Sequence, residues 1–192
     1  TALSPASFFQ TESDLELWTN KFYADVLEDT DIAEVYCDDM MGGSLNTLQK
    51  GTRTPSSKSW SVPSVDGNGY ITSNGTFTPL MNINYFLEQS VNCKDEAVRE
   101  KYNGVAYFFR AYFYFDKVER FGDVPWYDVQ IGSDNKDLLY KSRDSRELVM
   151  TKMIEDIDYA IKNLPDHKSQ TNMPYRVTKW AALALKAQFC LF

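Results

Sequence analysis

The chain has 192 residues, 43% hydrophobic and 24% charged, enough for one sizeable domain with a real core and too apolar to stay unfolded. A formal net charge of −7 argues against a nucleic-acid backbone or an anionic lipid surface as ligand. No run of about 18 apolar residues occurs, so no helix is expected to span a membrane. Cys37, Cys93 and Cys190, with a single histidine, His167, form neither a disulfide framework nor a zinc-ligand set.

A first helix is signalled by Thr11-Glu12-Ser13-Asp14, in which Thr11 caps and Asp14 completes a capping box. Leu15, Trp18, Phe22 and Val26 follow at helical spacing and read as core. From Met41 to Pro79 the texture changes to Gly, Ser, Thr, Asn and Pro without a helical period. This predicts a long irregular loop with short strands around Trp60 and Tyr70. Loops of that length in a domain are often functional. Within it, Asp66-Gly67-Asn68-Gly69 departs from a calcium-loop pattern, with Tyr70 and Ile71 where a ligand and a glycine are needed, and reads as a tight turn.

A second helix is expected over Leu80 to Ser90 and a third from near Asp95 to Phe121. In the third, seven of the nine residues from Tyr107 to Phe115 are aromatic. They lie on every side of a helix, and a helix apolar all round is a buried one. Gly122 and Pro125 then stop it. Arg110 sits amid these rings and must be paired with a carboxylate or stacked on Tyr107 or Tyr114; the alternative role is ligand contact. A polar connector, Asp128 to Lys141, leads to a fourth helix from near Ser142 to Leu164-Pro165, with Met150, Met153, Ile154, Ile157, Ala160, Ile161 and Leu164 on one face. A fifth begins after the cap Thr178, with Ala181, Ala182, Ala184 and Ala187 suited to close helix approach. The chain ends there on Phe189, Leu191 and Phe192, which carries the expectation of a longer parent protein.

Six segments, in order, resemble one family. They are Ser4–Val26 with its Phe8-Phe9-Gln10-Thr11-Glu12 start, Cys37-Asp38-Asp39, Asn84-Tyr85-Phe86-Leu87-Glu88, Tyr107–Pro125, Ile154–Ala160 with Leu164-Pro165, and Arg176–Ala187. Together they resemble the SusD/RagB family of outer-membrane glycan-binding lipoproteins. Phe77, where that family often has Trp, and Trp180, where a small residue is common, depart from the pattern. The resemblance implies a mainly α fold, a SusD-like α-α superhelix of TPR-like helical pairs with a long irregular loop. Residues 1–192 would be the N-terminal part of such a domain. It further implies a non-catalytic protein on the extracellular face of the outer membrane of a Bacteroidetes bacterium. Such a protein would be held by a lipid on a cysteine upstream of Thr1 and would pass a glycan to a SusC-like TonB-dependent transporter. No cofactor or metal is implied.

The residues themselves supply sugar-binding chemistry in the long loop. Trp60 and Tyr70 offer stacking faces, and Arg53, Asn68 and Asn74 offer hydrogen bonds to hydroxyls. These are the candidate ligand-binding residues; no family motif marks them. The alternative is a TPR-like protein-interaction scaffold without direct sugar binding. A glycosidase would need two carboxylates held across a cleft, and no pattern here places such a pair.

Overall fold

The computed structural model describes residues 8–27, 77–131, 134–166 and 175–192. Six α-helices make up nearly all the regular structure there: α1 Glu12–Val26, α2 Thr78–Gln89, α3 Glu96–Phe121, α4 Lys136–Leu139, α5 Arg146–Asn163 and α6 Lys179–Leu191. Among the described residues, extended pairing is limited to one antiparallel bridge between Val124 and Asp144, and no helix is long and apolar enough to cross a membrane.

The caps explain the boundaries. The α1 capping box forms as its sequence predicts: the Asp14 amide donates to Thr11 Oγ1 at 3.3 Å, and the Asp14 carboxylate accepts from the Thr11 amide at 3.0 Å. Helix α2 starts at Thr78, earlier than Leu80, because Pro79 is preset for a first turn that has no partner for its N–H groups. Asp95 caps α3 through the Val98 amide at 3.1 Å. Helix α5 starts at Arg146 with Ser145 as its cap, later than the expected Ser142. The delay has a cause: Asp144 is held in the bridge to Val124, so the chain before Ser145 is extended. The polar connector holds the short α4, capped by Asn135. Thr178 caps α6 as predicted.

Helix α3 is the axis. It packs on α1, α2 and α5, and α6 packs mainly on α5. Of the aromatics from Tyr107 to Phe115, only Tyr107 and Tyr112 reach the surface. Phe109 is fully buried, with Phe22 and Tyr23 rings at 6.1 and 4.7 Å; burial of such a side chain contributes about 1.5–3 kcal/mol. Trp18 is half-buried and packs against Phe9 and Tyr85 at 5.1 and 5.4 Å. Phe115 meets Phe189 of α6 at 4.8 Å. Phe77 fills its place against Phe113 and Tyr127, both at 5.7 Å. Trp180 is exposed, so its bulk disturbs no packing. On α6, Ala182 faces the core, whereas Ala184 and Ala187 lie on the exposed side.

Two glycines set local geometry. At Gly104 a Cβ would stand 3.4 Å from Leu164, so the end of α5 lies close against α3. Gly122, at φ 68° and ψ −108°, ends α3 in a conformation that L side chains rarely adopt.

Candidate functional site

The five sequence-derived ligand candidates, Arg53, Trp60, Asn68, Tyr70 and Asn74, lie outside the described residues, as do Cys37 and His167. The described residues contain a different polar centre, built around Arg110.

Arg110 sits in mid-α3 and is almost wholly buried. Its Nε and Nη2 donate to the two Asp156 carboxylate oxygens at 2.6 and 2.7 Å, and Nη1 donates to Asn84 Oδ1 at 3.2 Å. Burial works against its charge, but the Asp156 hydrogen bonds and charge outweigh it and hold the guanidinium above its ordinary pKa. Of the two options open from sequence, pairing and stacking, both occur. The guanidinium carbon lies 4.9 Å from the Tyr107 ring and 5.2 Å from the Trp126 ring. Trp126 in turn stacks on Tyr114 at 4.3 Å, and Tyr107 meets Tyr159 of α5 at 4.6 Å. Tyr159, Tyr107, Arg110, Trp126 and Tyr114 thus form a continuous ladder from the surface to the core.

This centre fastens the segment after α3. Asn84 Nδ2 donates to the carbonyls of Tyr127 and Val129 at 3.0 and 3.1 Å. The Tyr127 amide donates to the Tyr114 hydroxyl at 2.6 Å, and that hydroxyl donates to the Pro125 carbonyl at 3.2 Å. Desolvation pushes the Tyr114 hydroxyl well above its ordinary pKa, so it stays protonated and can donate. The Trp126 amide donates to Asp144 at 2.7 Å, and Lys141 reaches the Trp126 carbonyl at 3.0 Å. Slight burial pushes the Asp144 carboxyl up, but Lys141 and the Trp126 amide together hold it below the usual carboxylate range. At about 1 kcal/mol net for each such bond, the segment is a fixed feature of the surface.

Asp156 is the member that sequence reading missed. Glu155, Asp156 and Asp158 crowd one turn, and only Asp156 turns inward. The available signal was its spacing, three residues after Met153 and four before Ala160, which places it on the apolar face.

A second polar cluster lies where α1, α3 and the segment before α6 meet. Arg176 pairs with Glu16 at 2.8 Å and bonds Asn20; the Val177 amide donates to the Tyr23 hydroxyl at 2.9 Å; Lys101 pairs with Glu12 at 3.0 Å. The cleft between Tyr23, Tyr102 and Arg176 holds about 20 Å³, room for a water and not for a sugar ring. Its polar groups satisfy one another, so it is a clasp joining the two ends of the described fold.

Residues 7–191 match a family model, SusD-like, described as starch-binding and associating with the outer membrane. The chain is 27% identical over 189 residues to SusD-like protein P2 of Formosa agariphila, covering 95% of this chain and 37% of that protein. It superposes on a SusD-like protein from Bacteroides fragilis with a TM-score of 0.70 at 24% identity, covering 96% of this chain and 36% of that one. A SusD-like carbohydrate-binding protein from the same species gives a TM-score of 0.71 at 18% identity, covering 96% and 38%. NanU of B. fragilis gives 0.65 at 22% identity, covering 99% and 39%. The structural matches establish a shared fold. The chain spans well under half the length of each of these relatives.

Proposed function

Since the chain belongs to the SusD-like family, which is defined by starch binding and outer-membrane association rather than by catalysis, we propose that it is part of a cell-surface protein that captures an oligosaccharide and hands it to a SusC-like TonB-dependent transporter. The observation that carries this reading is the family match over residues 7–191. In this reading the parent protein is lipid-anchored on the extracellular face. Residues 41–76, the part of the Met41–Pro79 segment that precedes α2, form one wall of a shallow site, with Trp60 as stacking platform, Tyr70 as a second face, and Arg53, Asn68 and Asn74 bonding hydroxyls. Support comes from chemistry: polar groups beside isolated aromatics are what a small neutral ligand requires, and a rigid helical scaffold is a suitable base for binding loops.

The test is calorimetry of Trp60→Ala in the intact protein. Loss of about 1–2 kcal/mol of binding energy is expected if the indole is the platform. Unchanged affinity with the fold intact by circular dichroism moves the site elsewhere.

A second reading, a TPR-like scaffold that binds protein rather than sugar, is favoured by one observation. The outer face of α6 presents Trp180, Leu183 and Leu191 to solvent at helical spacing.

A further inference from the structure

Helix α6 carries two apolar faces, and the described fold uses one of them. Ala182, Leu185 and Phe189 are buried, on the side where α6 packs against α5 and α3, and Phe189 reaches Phe115 at 4.8 Å. Seven other residues of α6 are exposed, and six of these, Trp180, Leu183, Ala184, Ala187, Cys190 and Leu191, are apolar. At about 100° per residue they fall within about 120° of the helix circumference, opposite Phe189. A stripe of that width is what a helix turns toward a core. Helix α5 shows the ordinary surface pattern instead: seven of its residues are exposed, and only Leu148 among them is apolar.

The cations beside the α6 stripe leave it uninterrupted. Lys186 is drawn to Asp158 at 2.5 Å, and Lys179 lies against the Trp180 ring at 5.1 Å. The face therefore offers little to an ion or a polar ligand and suits apolar side chains. In its middle, Ala184 and Ala187 leave a low saddle between Trp180 and Leu191. Small residues at such a point let a second helix axis approach to the short end of the usual range of about 8–10 Å.

We propose that this outer stripe is the seat of a helix from the part of the parent protein outside residues 1–192, packed closely over Ala184 and Ala187. Each of the three solved relatives has more than half of its length outside the region that this chain matches, so a parent of the same build has chain available for it. The size of the stripe also favours a tethered occupant over a separate one. Thirteen residues make a helix about 20 Å long, and a strip of that length offers on the order of 200 Å², against roughly 800 Å² per partner in a stable complex of separate chains. A helix on the same chain needs far less area, because its local concentration is of millimolar order. The seat is independent of which ligand the parent binds.

The experiment is alkylation of Cys190 by N-ethylmaleimide in the purified intact parent protein, followed peptide by peptide by mass spectrometry. A covering helix should slow the reaction about tenfold or more relative to the urea-unfolded protein, and equally at every protein concentration. Ala187→Arg should restore most of the lost rate by forcing the helix away, whereas Gln188→Arg, at the rim of the stripe, should leave it unchanged. A benzophenone maleimide placed on Gln188→Cys then identifies the occupant by photocrosslinking, and the expected partner peptide lies outside residues 1–192 of the same chain. Cys190 that reacts as fast in the folded as in the unfolded protein overturns the proposal and leaves the face to a separate partner. Protection lost on dilution, or a crosslink between two chains, gives the face to a second copy and overturns it too, and a crosslink to residues 28–76 does the same. An Ala187→Arg rate equal to wild type overturns the close approach over the alanines. The wild-type rates decide the matter even where Ala187→Arg fails to fold.

Discussion

Arg110 and Asp156 meet side-on in the middle of the bundle, joined by two hydrogen bonds of 2.6 and 2.7 Å across 46 residues of sequence. Each side chain is about 7% exposed. Removing one partner strands the other charge in a low-dielectric core. Asp156→Ala should therefore lose about 3–5 kcal/mol. Arg110→Met with Asp156→Leu should recover most of that loss, because apolar replacement of both charges removes the desolvation cost as well as the attraction. Urea melts of the two variants check this; a double variant as unstable as the single one contradicts it.

Phe109 touches rings from α1 and lies at the centre of the aromatic cluster. Phe109→Ala should cost about 3–5 kcal/mol, from lost transfer energy and the cavity left behind. A change below half of the lower figure in denaturant unfolding would mean that α3 is not the axis of the core.

The helical periods, Thr11 and Thr178 as caps, the start of α3 near Asp95 and Gly122 as its stop were all legible in the chain, because each depends on a few adjacent residues. Arg110 was legible as a problem, a charge amid rings, but its solution was not. Three carboxylates share the turn of α5 that meets it, and the packing of α5 on α3 selects Asp156. The delayed start of α5 is likewise a tertiary effect, since Asp144 is engaged by Val124 and Trp126 across the bundle.

The two glycines should respond with opposite sign. Gly122→Ala has open space around it but a φ of 68°, so it should cost about 1–2 kcal/mol through backbone strain alone. Gly104→Ala has ordinary helical geometry and a van der Waals contact with Leu164 at 3.4 Å. It should be stabilising by up to about 1 kcal/mol through helix propensity. Urea midpoints for the pair test this, and destabilisation of equal size at both positions contradicts it.

Acid should loosen the fold through Asp144 and Asp14. Hydrogen bonds, with the Lys141 charge at Asp144, outweigh burial and keep both carboxyls below the ordinary range in the folded state. The unfolded chain then binds more protons at low pH, so the stabilisation is present above about pH 4 and is lost as pH falls through the lower folded values. Thermal melts from pH 6 to pH 2 should show this decline, and Asp144→Asn should flatten part of it. An equally steep decline in the variant would remove Asp144 from the cause.

Glycan capture can be read out on a glycan array probed with the intact parent protein. The protein should retain neutral oligosaccharides with Kd on the order of 10 μM to 1 mM, about −7 to −4 kcal/mol, as a shallow site with few stacking faces allows. Retention of no glycan, by protein that is folded and that still binds a TonB-dependent transporter, would contradict it and leave the helical scaffold as a protein-docking surface.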